Sequence, residues 1–223
     1  MIPKNFIDFY GDQTRWFIGE VVNVKDDPEK LGRVKVKIRG IHDDPFIKTK
    51  DLPWAQVISP VTTAIHKGKG RSLGMLVGTQ VFGIFLDGPH SQLPMVIGSI
   101  PKEGDANTKT KDYYPYNKVY ETERGHYKEY DDTEGKERIK EYHTSGTYYE
   151  IEEDGSRKNY VVGKETLHVK KDIEIIGDEN ATVTISGNCN IVVTGDASIS
   201  AKNVTVRASD KISLSGTIVK LNS

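Results

Sequence analysis

Four pairs of neighbouring carboxylates punctuate the chain: Asp26/Asp27, Asp43/Asp44, Asp131/Asp132 and Glu152/Glu153. Hydrolysis of a glycosidic bond needs two carboxylates held across a cleft. Sequence neighbours beside turn residues or on exposed strands do not supply that geometry, so these acids are expected to be solvated. His66-Lys67-Gly68-Lys69-Gly70-Arg71 superficially resembles a phosphate loop. The Gly-x4-Gly-Lys-Ser/Thr spacing and the helix that must follow are missing. A basic loop suited to an acidic protein surface is the better reading. The six histidines, at 42, 66, 90, 126, 143 and 168, do not pair with one another or with cysteine at metal-ligand spacing. Cys189 is the single cysteine. It falls in phase with aliphatic neighbours and reads as a small buried hydrophobe, not as an activated thiol. No nucleophile elbow is present. The expectation is therefore no catalytic set, no cofactor and no metal built by one chain.

The elements that could position chemistry point elsewhere. Leu167, Ile175, Val183, Ile191 and Ile199 stand eight residues apart. Val169, Ile185, Val193 and Ala201 keep the same step two residues later, with Gly177 in the remaining slot. From 167 to 201 the odd positions are apolar or small, apart from Lys171 and Glu179. The even positions are polar, apart from Ile176 and Val192. Eight is an even number, so every step keeps the same face inward. Around Lys202-Asn203 the phase slips by one, and the apolar set continues as Val204, Val206, Ala208, Ile212 and Leu214. A strand of about five residues plus a tight turn, stacked repeatedly, fits this step.

One octad offers too little apolar surface to offset the ordering of its backbone, at ~1–2 kcal/mol per residue. Three chains wound about one axis would close the core. Leu167, Val169, Ile175, Val183, Ile185, Cys189, Ile191, Val193, Ile199, Val204, Val206, Ile212 and Leu214 are the expected shared core. Glycines such as Gly187 and Gly195 would turn the corners.

Composition agrees with a protein that shares its core. Hydrophobic residues make up 36% of the 223, which is lean for a single globule. A net charge of −1 gives no global attraction to nucleic acid or anionic membrane. One cysteine allows no intrachain disulfide and fits a reducing compartment. No run reaches the ~18 apolar residues of a membrane span. Met1–Tyr10 lacks the basic start and apolar stretch of a secretion signal.

Residues 1–100 read as a compact all-β domain. Arg15–Val24, Arg33–Arg39, Trp54–Ile58, Gln80–Leu86 and Met95–Ile100 are its strand candidates, with Gly83 as a bulge or bend. Val34, Val36 and Ile38 should face inward and the four alternating cations outward. Such short strands with Gly and Pro punctuation suggest a small barrel. Residues 101–120 form a polar connector, an ordered strap whose tyrosines 113, 114 and 116 should dock on a neighbouring surface. Residues 121–223 form the repetitive part.

The stretches Lys30–Val36, Leu52-Pro53-Trp54-Ala55, Ser59-Pro60-Val61-Thr62, Gly78–Gly88 and Val96–Ile100 resemble the OB-fold domain of the central spike family of contractile-tailed phages, related to type VI secretion spikes. The octads are similar in kind to that family's triple-stranded β-helix. The resemblance implies an all-β protein, an N-terminal OB-fold barrel followed by an intertwined trimeric β-helix. It implies a membrane-puncturing structural protein of the virion tail baseplate, made in the host cytoplasm. The implied partners are two further copies, a hub ring above the barrels, a PAAR-type protein at the tip, and the host outer membrane in passing.

The chain departs from the family pattern in three ways. About twenty connector residues stand where the best-known member has a lysozyme domain, too few for an enzyme. No hub-like domain precedes the barrel. The last residues, Val219–Ser223, hold no His-x-His pair of the kind by which some short spikes bind iron. The alternative reading is an OB-fold module for oligosaccharide or nucleic acid on a trimeric stalk. It would require stacking aromatics beside the cations of Arg33–Arg39, and none alternate with them. A cell-wall hydrolase is the third possibility, and it has no motif.

Overall fold

The computed structural model describes residues 15–70 and 74–220. Met1–Tyr10, Arg71 and Leu221–Ser223, named above, lie outside the described residues.

Five strands close the first barrel: β1 (Arg15–Asn23), β2 (Val34–Ile38), β3 (Trp54–Val57), β4 (Gln80–Phe85) and β5 (Pro94–Ser99). Their order is β1-β2-β3-β5-β4. All contacts are antiparallel except β3 with β5. Alternation selects the core: Phe17, Val21, Val34, Val36, Ile38, Ala55, Val81, Phe85 and Val96 are buried together. Full burial of a side chain of this kind stabilises by ~1.5–3 kcal/mol.

Gly83 sits at a register shift between β4 and β5. A Cβ there would lie 2.3 Å from the Phe17 ring and 2.4 Å from the Met95 carbonyl oxygen. Glycine is needed here because the Phe17 ring and the Met95 carbonyl occupy the space a side chain would take. Lys35 departs from the simple alternation. It is buried, donates from Nζ to the Lys50 carbonyl at 2.6 Å, and lies 5.0 Å from the centre of the Trp54 ring. The loop between β2 and β3 folds over it, so the outer face of β2 is not an open cationic strip.

The connector is tied down by its polar residues. Lys102 donates to the Gly78 carbonyl at 2.9 Å, and Asn107 and Lys109 donate to the Glu121 carboxylate at 2.9 and 2.7 Å. Lys136 lies 4.9 Å from the centre of the Tyr113 ring. Tyr114 and Tyr116 are exposed. Of the three tyrosines, those two do not dock on this chain.

Next comes an antiparallel meander of five strands: β6 (Asn117–Glu121), β7 (Tyr127–Asp131), β8 (Arg138–Tyr142), β9 (Tyr148–Ile151) and β10 (Arg157–Tyr160). Gly125, Gly135, Gly146 and Gly155 hold positive φ in the four turns, which glycine adopts without steric cost. The compact first unit runs through Thr166, and a second begins at Leu167. The meander thus occupies the start of the segment that the sequence groups with the repeats.

In the second unit, no residue from 167 to 220 pairs with another as a strand. The backbone is extended and interrupted by bends. They fall at 170–171, 178–179, 186–187 and 194–195, then at Lys202, 209–210 and Thr217.

Candidate functional site: an apolar ladder without a partner

The acids and bases singled out in the sequence are absorbed by local structure. The Asp27 carboxylate accepts from the backbone N–H groups of Glu29, Leu31 and Arg33, and from Arg33 Nε and Nη2 at 3.0 and 2.7 Å. The Arg33 guanidinium holds its pKa at about 2. Asp43 and Asp44 accept from the N–H groups of Gly40 and Phe46. Asp131 is buried and accepts from Thr133, and Glu152 pairs with Lys158 at 2.6 Å. No pair faces another across a cleft among the described residues. His66 and Lys69 bridge in a tight antiparallel loop, with Lys67 and Gly68 at positive φ, which is not a phosphate cradle. His42 is buried and its Nδ1 accepts from the Ile38 N–H at 3.1 Å, while burial pushes its pKa below the ordinary histidine value.

One face of the meander carries charge where a core would be expected. Glu129, Asp131 and Glu150 are buried. Arg138 pairs with Glu129 at 3.0 Å and lies 4.0 Å from Asp131 and 3.7 Å from Glu150, while Lys140 pairs with Glu150 at 3.1 Å. The network pairs its charges with one another, although Arg138 Nε is left without a hydrogen-bond partner.

The ladder is the feature left without an internal explanation. Counted from the bends, each coil holds three positions of the alternating apolar set. The first row contains Ile173, Cys189, Val204 and Ile212. The second contains Leu167, Ile175, Val183, Ile191, Ile199, Val206 and Leu214. The third contains Val169, Ile185 and Val193. Every position in the sequence-predicted shared core falls in one of these rows. In the single chain they all remain in solvent, Cys189 included. The middle row is 67–88% exposed, against 42–58% for the aliphatic residues of the other two. The slip is a single seven-residue coil: Ile199 is followed in its row by Val206 and then Leu214, as the bend at Lys202 is followed by one at 209–210. Unpaired extended backbone and a continuous apolar row are both costly in water.

Sequence spacing also missed a contact. His126 and His143 lie seventeen positions apart, yet their rings stack with centroids 4.5 Å apart. The β7–β8 register brings them together.

The barrel has known relatives. The sequence model of the family described as Gp5 N-terminal OB domain matches residues 35–133, which takes in most of the barrel, the connector and the first two meander strands. Protein Gp5 of Vibrio phage KVP40 is 28% identical over 280 aligned positions, covering 83% of this chain and 65% of that protein. The pre-baseplate central spike protein Gp5 of Enterobacteria phage T4 is 42% identical over 89 residues, covering 36% of this chain and 15% of that protein. The chain spans less than two thirds of the length of these relatives. Over residues 35–133 it is similar to the Gp5 N-terminal OB domain family, and it is similar to the Gp5 proteins of these two phages, one of them named a pre-baseplate central spike protein.

Proposed function

We propose that this chain is a structural component of a contractile phage tail baseplate, a trimeric central spike that punctures the host envelope. The observation that carries the reading is the middle row of the ladder. It is an unbroken apolar row, largely exposed to water in one chain, on a backbone with no strand partner among the described residues, in a protein whose barrel is similar to the Gp5 OB domain. Three copies wound in parallel would give each extended segment neighbours to hydrogen-bond and bring the apolar rows together on an axis. The ladder coils become stiff because their ordering is shared among chains. The work of puncture comes from the tail's contraction, and the protein transmits it. Barrel surfaces would dock on a hub ring, and the far end of the ladder would take a PAAR-type tip protein. The protein would reside in the virion baseplate.

On this reading the chain is a structural part of the assembly and not its enzyme. The alignment to the Vibrio phage protein runs over more positions than this chain possesses, so that relative holds segments with no counterpart here. Between β5 and β6 only the short connector intervenes. The alternative, a barrel that binds oligosaccharide or nucleic acid, has one observation in its favour: Trp16 is exposed and packs beside Phe82 at 6.3 Å. Against it, Lys35 is buried and unavailable to a ligand backbone.

The deciding experiment is the mass of the purified chain by light scattering, with gel migration in SDS before and after boiling. Three copies that resist unboiled SDS are expected, and a compact single copy would overturn the reading. Gel shift and glycan binding test the alternative, and zymography tests the absence of wall-cleaving activity.

A further inference from the structure

An antiparallel sheet ordinarily packs its apolar side inward and turns its polar side to water. The meander is inverted. Its buried side is the charged one, where Asn117, Glu129, Asp131 and Glu150 are 4–7% exposed. The connector helps to cover that side. Asn117 Nδ2 donates to the Lys109 carbonyl at 3.2 Å, and Lys109 Nζ lies 4.9 Å from the centre of the Tyr127 ring.

The apolar residues stand on the other side. Strand register sets Lys118, Tyr130, Ile139, Ile151 and Arg157 opposite one another in a single row across all five strands. Side chains alternate between the faces of a strand, so this row looks away from Glu129 and Glu150. Tyr130 is 54% exposed and Ile139, on the central strand β8, 44%. The cations of this face are engaged within the chain. Lys118 pairs with Asp132, Lys128 pairs with Glu141 at 3.0 Å, and the Arg157 guanidinium lies 5.3 Å from the centre of the Tyr149 ring.

We infer that this row is a contact between copies of the chain, in which the meanders turn Tyr130, Ile139 and Ile151 toward one another. The inference rests on the three-chain reading of the ladder and extends that interface upstream. Two observations select a second copy as the occupant. Only six residues, 161–166, join Tyr160 to Leu167, a tether of at most ~25 Å when extended. Copies joined along the ladder therefore hold their meanders at high effective concentration. The face is also neutral at its centre with its charges already paired, so it matches another copy of itself, whereas a polyanion would find no free cation there. Tyrosine suits such a contact because it buries a large ring and keeps its hydroxyl at the wet rim. The row is far smaller than the roughly 20–30 residues a side of a stable interface. It follows from the ladder's association and does not replace it.

The test is cysteine cross-linking in the full-length chain carrying Cys189→Ala, a residue that Ala181 and Ala197 already place in the same ladder row. Ile139→Cys treated with a short bismaleimide should run as linked copies on a denaturing gel. Lys158→Cys, on the exposed strand β10 and on the same face as Glu150, should run as single chains. If Ile139→Cys loses the three-copy mass, Tyr130→Cys, the next member of the row, takes its place. A three-copy mass with the row cysteine unlinked, or equal linking at Lys158→Cys, would overturn the contact and leave the face to a different partner, while the ladder reading stands. A single-copy mass for the unsubstituted chain would overturn the ladder reading itself and this inference with it.

Discussion

The barrel and the ladder use the same residues, Val, Ile and Leu alternating with polar neighbours, and reach opposite results. In the barrel, five short strands close on themselves, and Val21, Ile38, Val81 and Val96 lose all contact with water. In the ladder, Ile175, Val183, Ile191 and Ile199 keep more than four fifths of their surface exposed. The difference lies in the strand partners. The barrel's loops return the chain against itself, so each strand finds hydrogen-bonding neighbours within its own sequence. In the ladder the extended segments between bends have no strand partner among the described residues. Alternation decides which side is apolar; strand pairing decides whether one chain can cover it.

The sharpest way to break the comparison is a pair of neighbours in the ladder. Ile191→Asp places a carboxylate in the middle row and should abolish association, read as loss of the three-copy mass in light scattering. Val192→Asp, one residue on and facing the other side, should leave that mass unchanged. Equal effects would mean that the rows do not define an interior. The barrel has its own counterpart. Gly83→Val drives a side chain into the Phe17 ring and should cost about 3 kcal/mol or more in urea unfolding followed by tryptophan fluorescence.

Acid should separate the two regions. The folded pKa of Asp27 is about 2 against an ordinary 3.8. Its contribution is present above pH 3.8 and is lost as the pH falls through about 2. His42, with its pKa lowered by burial, acts at higher pH. Its neutral form favours folding above the ordinary histidine range, and that stability is lost as the pH falls through the folded pKa. Thermal melts of Asp27→Asn should show a flatter acid limb below pH 4 than the wild type, a change confined to the barrel transition. The smallest effect concerns Cys189. Its thiol, exposed in one chain, should react promptly with a thiol reagent in the Ile191→Asp variant and slowly in the assembled wild type. Equal rates would place the first row outside the shared core.

The strands of the barrel were legible because period-two alternation and Gly or Pro boundaries agree there, and each expected strand lies within a residue or two of its observed ends. Lys35 was misread because alternation assigns a face and says nothing about a loop folding over it. The meander was only partly legible. Its buried face holds Glu129, Arg138, Lys140 and Glu150, whose cost is offset by cross-strand pairing, so a search for apolar periodicity passes over it. The His126–His143 contact was hidden for a related reason. It follows from counting outward from the Gly135 turn, not from any local spacing. The ladder's step of eight, its slip and two of its rows were visible, but the row of Ile173, Cys189, Val204 and Ile212 was not visible as a series, since Ala181 and Ala197 thin it.

In the proposed three-chain assembly, the short coil between Lys202 and Ser209 would have one more effect. Uniform octads are interchangeable: sliding one strand along its neighbours by a whole repeat would match greasy positions to greasy positions again, and nothing would distinguish right from wrong. A lone heptad interrupts that monotony. A copy displaced by eight would set its heptad against octads and throw every later rung out of step. The irregularity works as a notch on a ruler, admitting a single longitudinal alignment.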